Sequence, residues 1–279
     1  MAFYSTVATL IGSSLSTNYF YKAMNFAFNK LYGEYNMLHF PLFKSKTDSL
    51  IQAQINLTDY CISKLPSLED KKVLDIGCGN GVQSIYLYNN YSPKQVIGVD
   101  INSDSISIAR DEKKNNNLDK VDFYIDNAQK LTNIKDNSID IVINIESAFH
   151  YPDKGSFIKE ISRVLKPNGH FLIADILTTK KGKRILPKFW YKKMYLNHWS
   201  IEDYNNTFQN SKLKINSQDD VTELIISGFN TYKNWYSTNK RVGVVLYAIM
   251  KIFIVFNVRI NVYLFKNRRK YIIFSGIKS

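Results

Sequence analysis

From residue 73 onward the chain switches repeatedly between short apolar runs and longer segments whose apolar positions recur every three or four residues. The short runs predict strands near 73–76, 95–100, 121–125, 139–144 and 169–175. The longer segments predict helices at 81–90, 104–116 and 154–165 between them. Strand–helix alternation at this spacing implies a parallel, doubly wound sheet with helices on both faces. Pro167–Asn168–Gly169 is a turn signal that feeds the last of these strands. Ahead of the alternation, Leu15, Tyr19, Ala23, Phe26 and Leu31 form a helical apolar stripe closed by Gly33, which predicts an N-terminal helical cap. A second helix is predicted from Thr47 to Leu65, because the residue before Pro66 must leave helical space.

After Asp175 the pattern changes. Residues 180 to 260 read as helical insertions rich in aromatics, among them Phe189, Trp190, Tyr191, Tyr195, Trp199, Phe229, Tyr232, Trp235 and Tyr236. The apolar Tyr271–Ile272–Ile273–Phe274–Ser275–Gly276 reads as a closing strand. No internal repeat or low-complexity linker divides the chain. The expectation is one α/β domain: a helical cap over 1–65, a core over 66–178, a lid over 179–265 and a closing strand over 266–279.

Composition narrows this picture only a little. A chain of 279 residues can bury a full α/β core. Two cysteines, Cys61 and Cys78, make neither a disulfide framework nor a metal pattern. No apolar run reaches the ~20 residues of a spanning helix. The nearest, Val242–Met250, is cut by Lys251. The N-terminus lacks the basic region of a signal peptide, so a cytoplasmic, reduced setting is expected. The net charge of +13 reads mainly as drift in a chain rich in Lys, Asn, Ile and Tyr. Two clusters, Lys180–Lys181–Gly182–Lys183–Arg184 and Lys266–Asn267–Arg268–Arg269–Lys270, are dense enough to meet an anionic membrane surface or a diphosphate, or are simply solvated loops.

The candidate chemistry starts at Val73–Leu74–Asp75–Ile76–Gly77–Cys78–Gly79–Asn80–Gly81. A buried strand, a tight glycine loop and a helix N-terminus follow in order, and glycine lets backbone approach a ligand closely. The dinucleotide fingerprint needs a third glycine where Val82 stands. Asp75, two residues before the first glycine, is a poor neighbour for a pyrophosphate and suits a ligand with an ammonium group and a sulfonium centre. Gln95–Val96–Ile97–Gly98–Val99–Asp100 then ends in an acid about 20 residues on, where a carboxylate meets ribose hydroxyls.

These two segments together resemble the class I S-adenosylmethionine-dependent methyltransferases over roughly residues 30 to 176. The resemblance implies a Rossmann-like, mostly parallel seven-stranded sheet, with S-adenosylmethionine as cofactor and S-adenosylhomocysteine as product. It implies that Asp75 helps hold the cofactor's amino group, that Gly77, Gly79 and Gly81 wrap its methionine part, and that Asp100, with Ile101 beside it, takes the ribose. Asp126–Asn127–Ala128 resembles the family's adenine segment, usually Gly-Asp-Ala. Here Asn127 falls on the acid's place and Asp126 on the glycine's, so either could make the adenine contact. Asn144 and Tyr32 are further cofactor candidates.

Asn144–Ile145–Glu146–Ser147–Ala148–Phe149–His150–Tyr151–Pro152–Asp153 resembles a segment of small-molecule methyltransferases, including the phthiotriol dimycocerosate O-methyltransferases of lipid biosynthesis. The resemblance makes His150 the candidate general base, a role suited to a side chain that titrates near neutrality. Glu146 would orient His150, bind substrate or position the cofactor. Tyr35 and His39, in a segment similar to the family's cofactor-covering one, are candidate substrate contacts, and so is Asp175, alternatively a second base or a turn cap. No metal is expected. The reaction expected is O-methylation of a hydroxyl on a lipid, polyketide or isoprenoid-like molecule. The alternatives are C-methylation of an alkene, of the sterol or prenyl diphosphate type, and a nucleic-acid methyltransferase exploiting the positive charge. Against the last, the Asn/Asp-Pro-Pro-Tyr segment of base-methylating enzymes is missing. The sequence leaves the acceptor atom and the oligomeric state open.

Overall fold

The computed structural model describes residues 17, 21–22, 24–26, 29, 33–179, 196–229, 255 and 258–279. Seven strands form one sheet in the order β3-β2-β1-β4-β5-β7-β6. They are β1 (Lys72–Ile76), β2 (Gln95–Asp100), β3 (Val121–Ile125), β4 (Ile139–Ile145), β5 (Leu165–Thr178), β6 (Leu213–Asp220) and β7 (Arg269–Lys278). The pairs among β1 to β5 are parallel, whereas β7 runs antiparallel to both β5 and β6. The doubly wound arrangement read from the alternation is thus the one observed.

Between the strands lie α1 (Leu50–Ile62), α2 (Val82–Tyr91), α3 (Ser103–Asn115), α4 (Lys154–Val164) and α5 (Ile201–Gln209). Their starts are set locally. Ser49, Asn102 and Asp153 each accept a hydrogen bond from a first-turn backbone N–H, and Ser200 with Asp203 forms a reciprocal capping box. β1 and β4 are buried along almost their whole length because helices cover both faces, which is why they read as unbroken apolar runs. One face packs Leu57, Cys61, Leu87 and Ile106 from α1, α2 and α3. The other packs Phe157, Ile161, Tyr204 and Phe208 from α4 and α5.

The structure departs from the pattern-based expectation in three places. α1 is shorter than 47–65 at both ends, starting at the Ser49 cap. β5 is longer than 169–175: Leu165 pairs with Ile139 before the turn, and β7 holds residues 170–178 in register on the other side. β6 lies inside the range read as helical insertions. Its sequence Leu213–Lys–Ile–Asn–Ser–Gln–Asp–Asp carries only two apolar residues, and its strand geometry comes from pairing with β7. Within the expected lid, the stretches 180–195 and 230–254, with most of their aromatics, lie outside the described residues. Phe229 is described and packs edge-on against Phe40, 5.4 Å between ring centres.

Candidate active site

The order of the sheet reverses between β1 and β4, so a crevice opens at the carboxyl ends of the central strands, the place where ligands bind in such sheets. A cavity of about 440 Å³ lies there, within the range of small-molecule sites. It is walled by residues that follow β1, β2, β3 and β4 in turn, with Thr17, Tyr21 and the 37–39 segment closing over it.

The glycine loop builds the first wall. Gly77 and Cys78 donate to the Val99 carbonyl at 2.7 and 3.1 Å, which hangs the loop on the end of β2. Gly77 has φ +75°, and a Cβ there would stand 2.2 Å from Ser147 Oγ, so no larger residue fits. Gly81 also has positive φ, and its bare Cα lets the start of α2 sit against Ala109 and Phe123. Asp100 is clamped from both sides. Its Oδ2 accepts from Gly79 N at 3.0 Å and its Oδ1 from Asn102 N at 2.8 Å. Burial raises its pKa, and these backbone donors oppose the rise. Ile101, next to it, is 65% exposed and offers an apolar face at the cavity wall.

Asp75 lies beneath this wall rather than in it. It is fully buried, accepts from Gln83 Nε2 at 3.0 Å and Ser84 Oγ at 2.6 Å, and does not line the cavity. Burial pushes its pKa up to about 6 against those two hydrogen bonds. The cavity meets Gln83 instead, a residue that pattern reading passed over. Its signal was a polar side chain in the first turn of a helix that otherwise packs on the sheet.

The second wall follows β3. Asp126 spends both oxygens on its own loop: Oδ1 accepts from Asn127 N and Thr132 N, and Oδ2 from Asn133 N. Asn127 Oδ1 accepts from Gln129 N at 2.9 Å, and Asn127, Ala128 and Asp126 all reach the cavity.

The third wall follows β4 and carries the titratable groups. Glu146 adopts φ +56°, a strained conformation for a side chain other than glycine. Its Oε2 accepts from Phe40 N at 2.7 Å, and the buried Tyr271 hydroxyl also faces the carboxyl. Burial raises the Glu146 carboxyl to about 8, with the Phe40 N–H pulling the other way. His150 ends the short helical turn Ala148–His150, and its Nε2 stands 2.8 Å from Tyr21 Oη. Ser147 Oγ and Tyr151 Oη, 2.8 Å apart, complete this wall, and Asn144 Nδ2 holds both from behind. Ser147 and Tyr151 were missed although they flank His150 in the same segment.

The cavity therefore unites Gly77, Gly79, Asp100, Ile101, Asp126, Asn127, Ala128, His39, Glu146 and His150. Asp75, Gly81 and Asn144 support it from outside, and Tyr35 does not line it. Tyr32 lies outside the described residues. His39 touches the cavity but is tied down: Nδ1 meets the Phe40 carbonyl at 2.9 Å and Nε2 meets Thr58 Oγ1 at 3.1 Å. Burial lowers its pKa to about 4. Asp175 is not brought to the cavity. It is fully buried and accepts from Lys154 Nζ and Tyr204 Oη, each at 2.7 Å. Among the described lining residues carboxylates are present and Lys and Arg are not. That donor set fits a cationic ligand and opposes a pyrophosphate.

A sequence profile described as a methyltransferase domain matches residues 67–239. A fatty-acid O-methyltransferase of Mycolicibacterium smegmatis is 35% identical over 131 residues, 47% of this chain and 46% of that protein. A phthiotriol/phenolphthiotriol dimycocerosates methyltransferase of Mycobacterium leprae is 28% identical over 182 residues, 65% of this chain and 58% of that protein. The matched segment thus spans about half the length of these relatives. Among solved structures the cyclase SpnF superposes with a TM-score of 0.74 at 19% identity, covering 95% of this chain and 97% of that one. At that identity the likeness speaks for the fold alone.

Proposed function

This chain belongs to the methyltransferase-domain family, and from that premise we propose that it transfers the methyl group of S-adenosylmethionine to a hydroxyl on a hydrophobic small molecule. The observation that carries the reading is one cavity with a carboxylate clamped by backbone N–H groups at one end, Asp100, and a histidine at the other, His150.

The residues present suit the cofactor. Asp100 would accept from the ribose hydroxyls, since Gly79 and Asn102 already fix both of its oxygens in place. Ile101 would lie against the adenine ring. Asp126 is consumed by its own loop and Asn127 Oδ1 by Gln129, so the Asn127 amide nitrogen would be the group to donate to the adenine edge. Asp75 would act through Gln83, whose Nε2 it fixes, and would set a negative field under the cofactor's ammonium group. When bound, the cofactor supplies a sulfonium methyl group open to in-line displacement. The chain's own contribution is to align the acceptor, to exclude water and to take its proton. His150 is the proton acceptor in this reading. Glu146, kept neutral at pH 7 by burial, would present an uncharged carboxyl at the cavity wall.

The choice of a hydrophobic acceptor rests on the named relatives, one acting on fatty acids and one on phthiotriol dimycocerosates. The absence of Lys and Arg among the described lining residues gives no support to a diphosphate-bearing acceptor. The deciding experiment incubates the protein with methyl-labelled cofactor and a host lipid extract and identifies the product. A labelled methyl ether supports the reading. Label on carbon, or on nucleic acid alone, overturns it.

A further inference from the structure

The His150 Nε2 lone pair, which the reading above needs for the acceptor's proton, already has a hydroxyl beside it. Tyr21 Oη lies 2.8 Å away, and the two rings meet edge to face with centres 5.7 Å apart. Both residues line the cavity. Residues that follow Tyr21 are anchored to the core loops. Asn25, one turn on, is buried and accepts from Asn80 Nδ2 at 2.9 Å, and Lys22 pairs with Asp104 at 3.2 Å. The glycine loop and the start of α3 therefore fix where the phenol sits.

A phenol oxygen can donate one hydrogen bond while accepting another. We propose that Tyr21 is a catalytic residue that relays the acceptor's proton to His150. The inference rests on the reading of the site as a hydroxyl methyltransferase. The acceptor's O–H bond breaks and its proton bonds to Tyr21 Oη. The proton that Tyr21 carried moves to His150 Nε2. The acceptor oxygen forms its bond to the methyl carbon as the carbon–sulfur bond breaks, and that electron pair returns to sulfur. Half-buried His150 then releases the proton to solvent. The relay needs no free tyrosinate, which the site would oppose: burial raises the phenol's pKa, and the nearby Asp100 carboxylate raises it further. His198, whose ring stacks on Phe149 at 5.5 Å, is a further titratable group that His150 acts on.

The test uses the full chain and the variant Tyr21→Phe, which keeps the ring and deletes one oxygen. In the free protein, nitrogen NMR of the His150 ring should show the neutral form protonated at Nδ1, with Nε2 accepting. Tyr21→Phe should raise the His150 pKa, because the donor that favours the neutral ring is gone. With cofactor and acceptor, kcat should fall by ~10²-fold or more while affinity for S-adenosylhomocysteine is unchanged. Tyr21→Phe combined with His150→Ala should be no slower than His150→Ala alone, since the two act as one unit. An Nε2–H tautomer in the free protein, or an unchanged kcat in Tyr21→Phe, overturns the relay. A wild-type protein that methylates no hydroxyl fails the functional reading and the relay together, and the silence of the wild type distinguishes that case.

Discussion

Glu146 combines two unusual properties at one residue: positive φ and a carboxyl raised to about 8. A raised folded-state pKa stabilises the protein fully below the unfolded value near 4.5. That contribution is lost progressively as pH rises toward 8, because the unfolded chain ionises first. Glu146→Gln keeps the acceptor for Phe40 N and cannot ionise. Its denaturation midpoint should match the wild type well below pH 4.5 and exceed it above pH 8. Equal midpoints at both pH values would show that the carboxyl ionises normally. For His150, replacement by Ala should lower turnover by ~10²–10⁴-fold with cofactor binding retained. Steady-state kinetics beside titration calorimetry separates those effects, and retained turnover would reduce the site's contribution to alignment alone. His39, by contrast, has both ring nitrogens engaged and its pKa lowered to about 4.

At the scale of elements, the buried Lys154–Asp175 pair ties the first residue of α4 to the end of β5, with Tyr204 of α5 as a third partner. Lys154 Nζ also lies over the rings of Trp199 and Tyr204, at 5.7 and 5.3 Å. Burial lowers the lysine's pKa and the neighbouring Asp175 opposes that. Removing one partner of such a pair strands the other charge. Lys154→Met should therefore cost about 3–5 kcal/mol, and Lys154→Met with Asp175→Asn should recover much of it. Urea denaturation of the single and double variants measures both, and a single variant as stable as the wild type would mean that the pair is replaceable. The pair's position explains why Asp175, at the carboxyl end of a central strand, takes no part in the cavity. Topology made it a site candidate, and an opposing lysine 21 residues earlier in the chain made it a clasp.

For the whole molecule, the cavity joins the ends of four strands to Thr17 and Tyr21, so a ligand there links segments far apart in sequence. S-adenosylhomocysteine should raise the melting temperature, with about 2.7 kcal/mol of stabilisation at 100 times Kd. Asp100→Ala should abolish most of that shift, and a ligand that stabilises both proteins equally would place its site elsewhere. The +13 charge is a separate whole-molecule property. Among the described residues no helix is long and apolar enough to cross a membrane. Peripheral binding to anionic vesicles, if the charge serves it, must weaken as salt screens the interaction.

The sequence by itself determined the doubly wound core, because both-face burial forces unbroken apolar strands and one-face burial forces 3.6-residue periodicity. It also determined the glycine loop and the acid after the next strand, Gly77, Gly79 and Asp100, because a tight strand-to-helix turn followed by a second strand leaves fixed spacings along one short stretch of chain. Only the tertiary structure decided matters that depend on contacts between distant segments. β6 is a strand because β7 pairs with it. Asp75 sits below the cavity because Gln83 and Ser84 reach it first. Asp126 serves its own loop because Thr132 and Asn133 fold back on it, and Tyr21 reaches His150 across 129 residues of chain. Periodicity reports how each residue meets its own element. Which side chain satisfies a buried carboxylate or a histidine nitrogen is settled by whatever the fold brings within 3 Å of it.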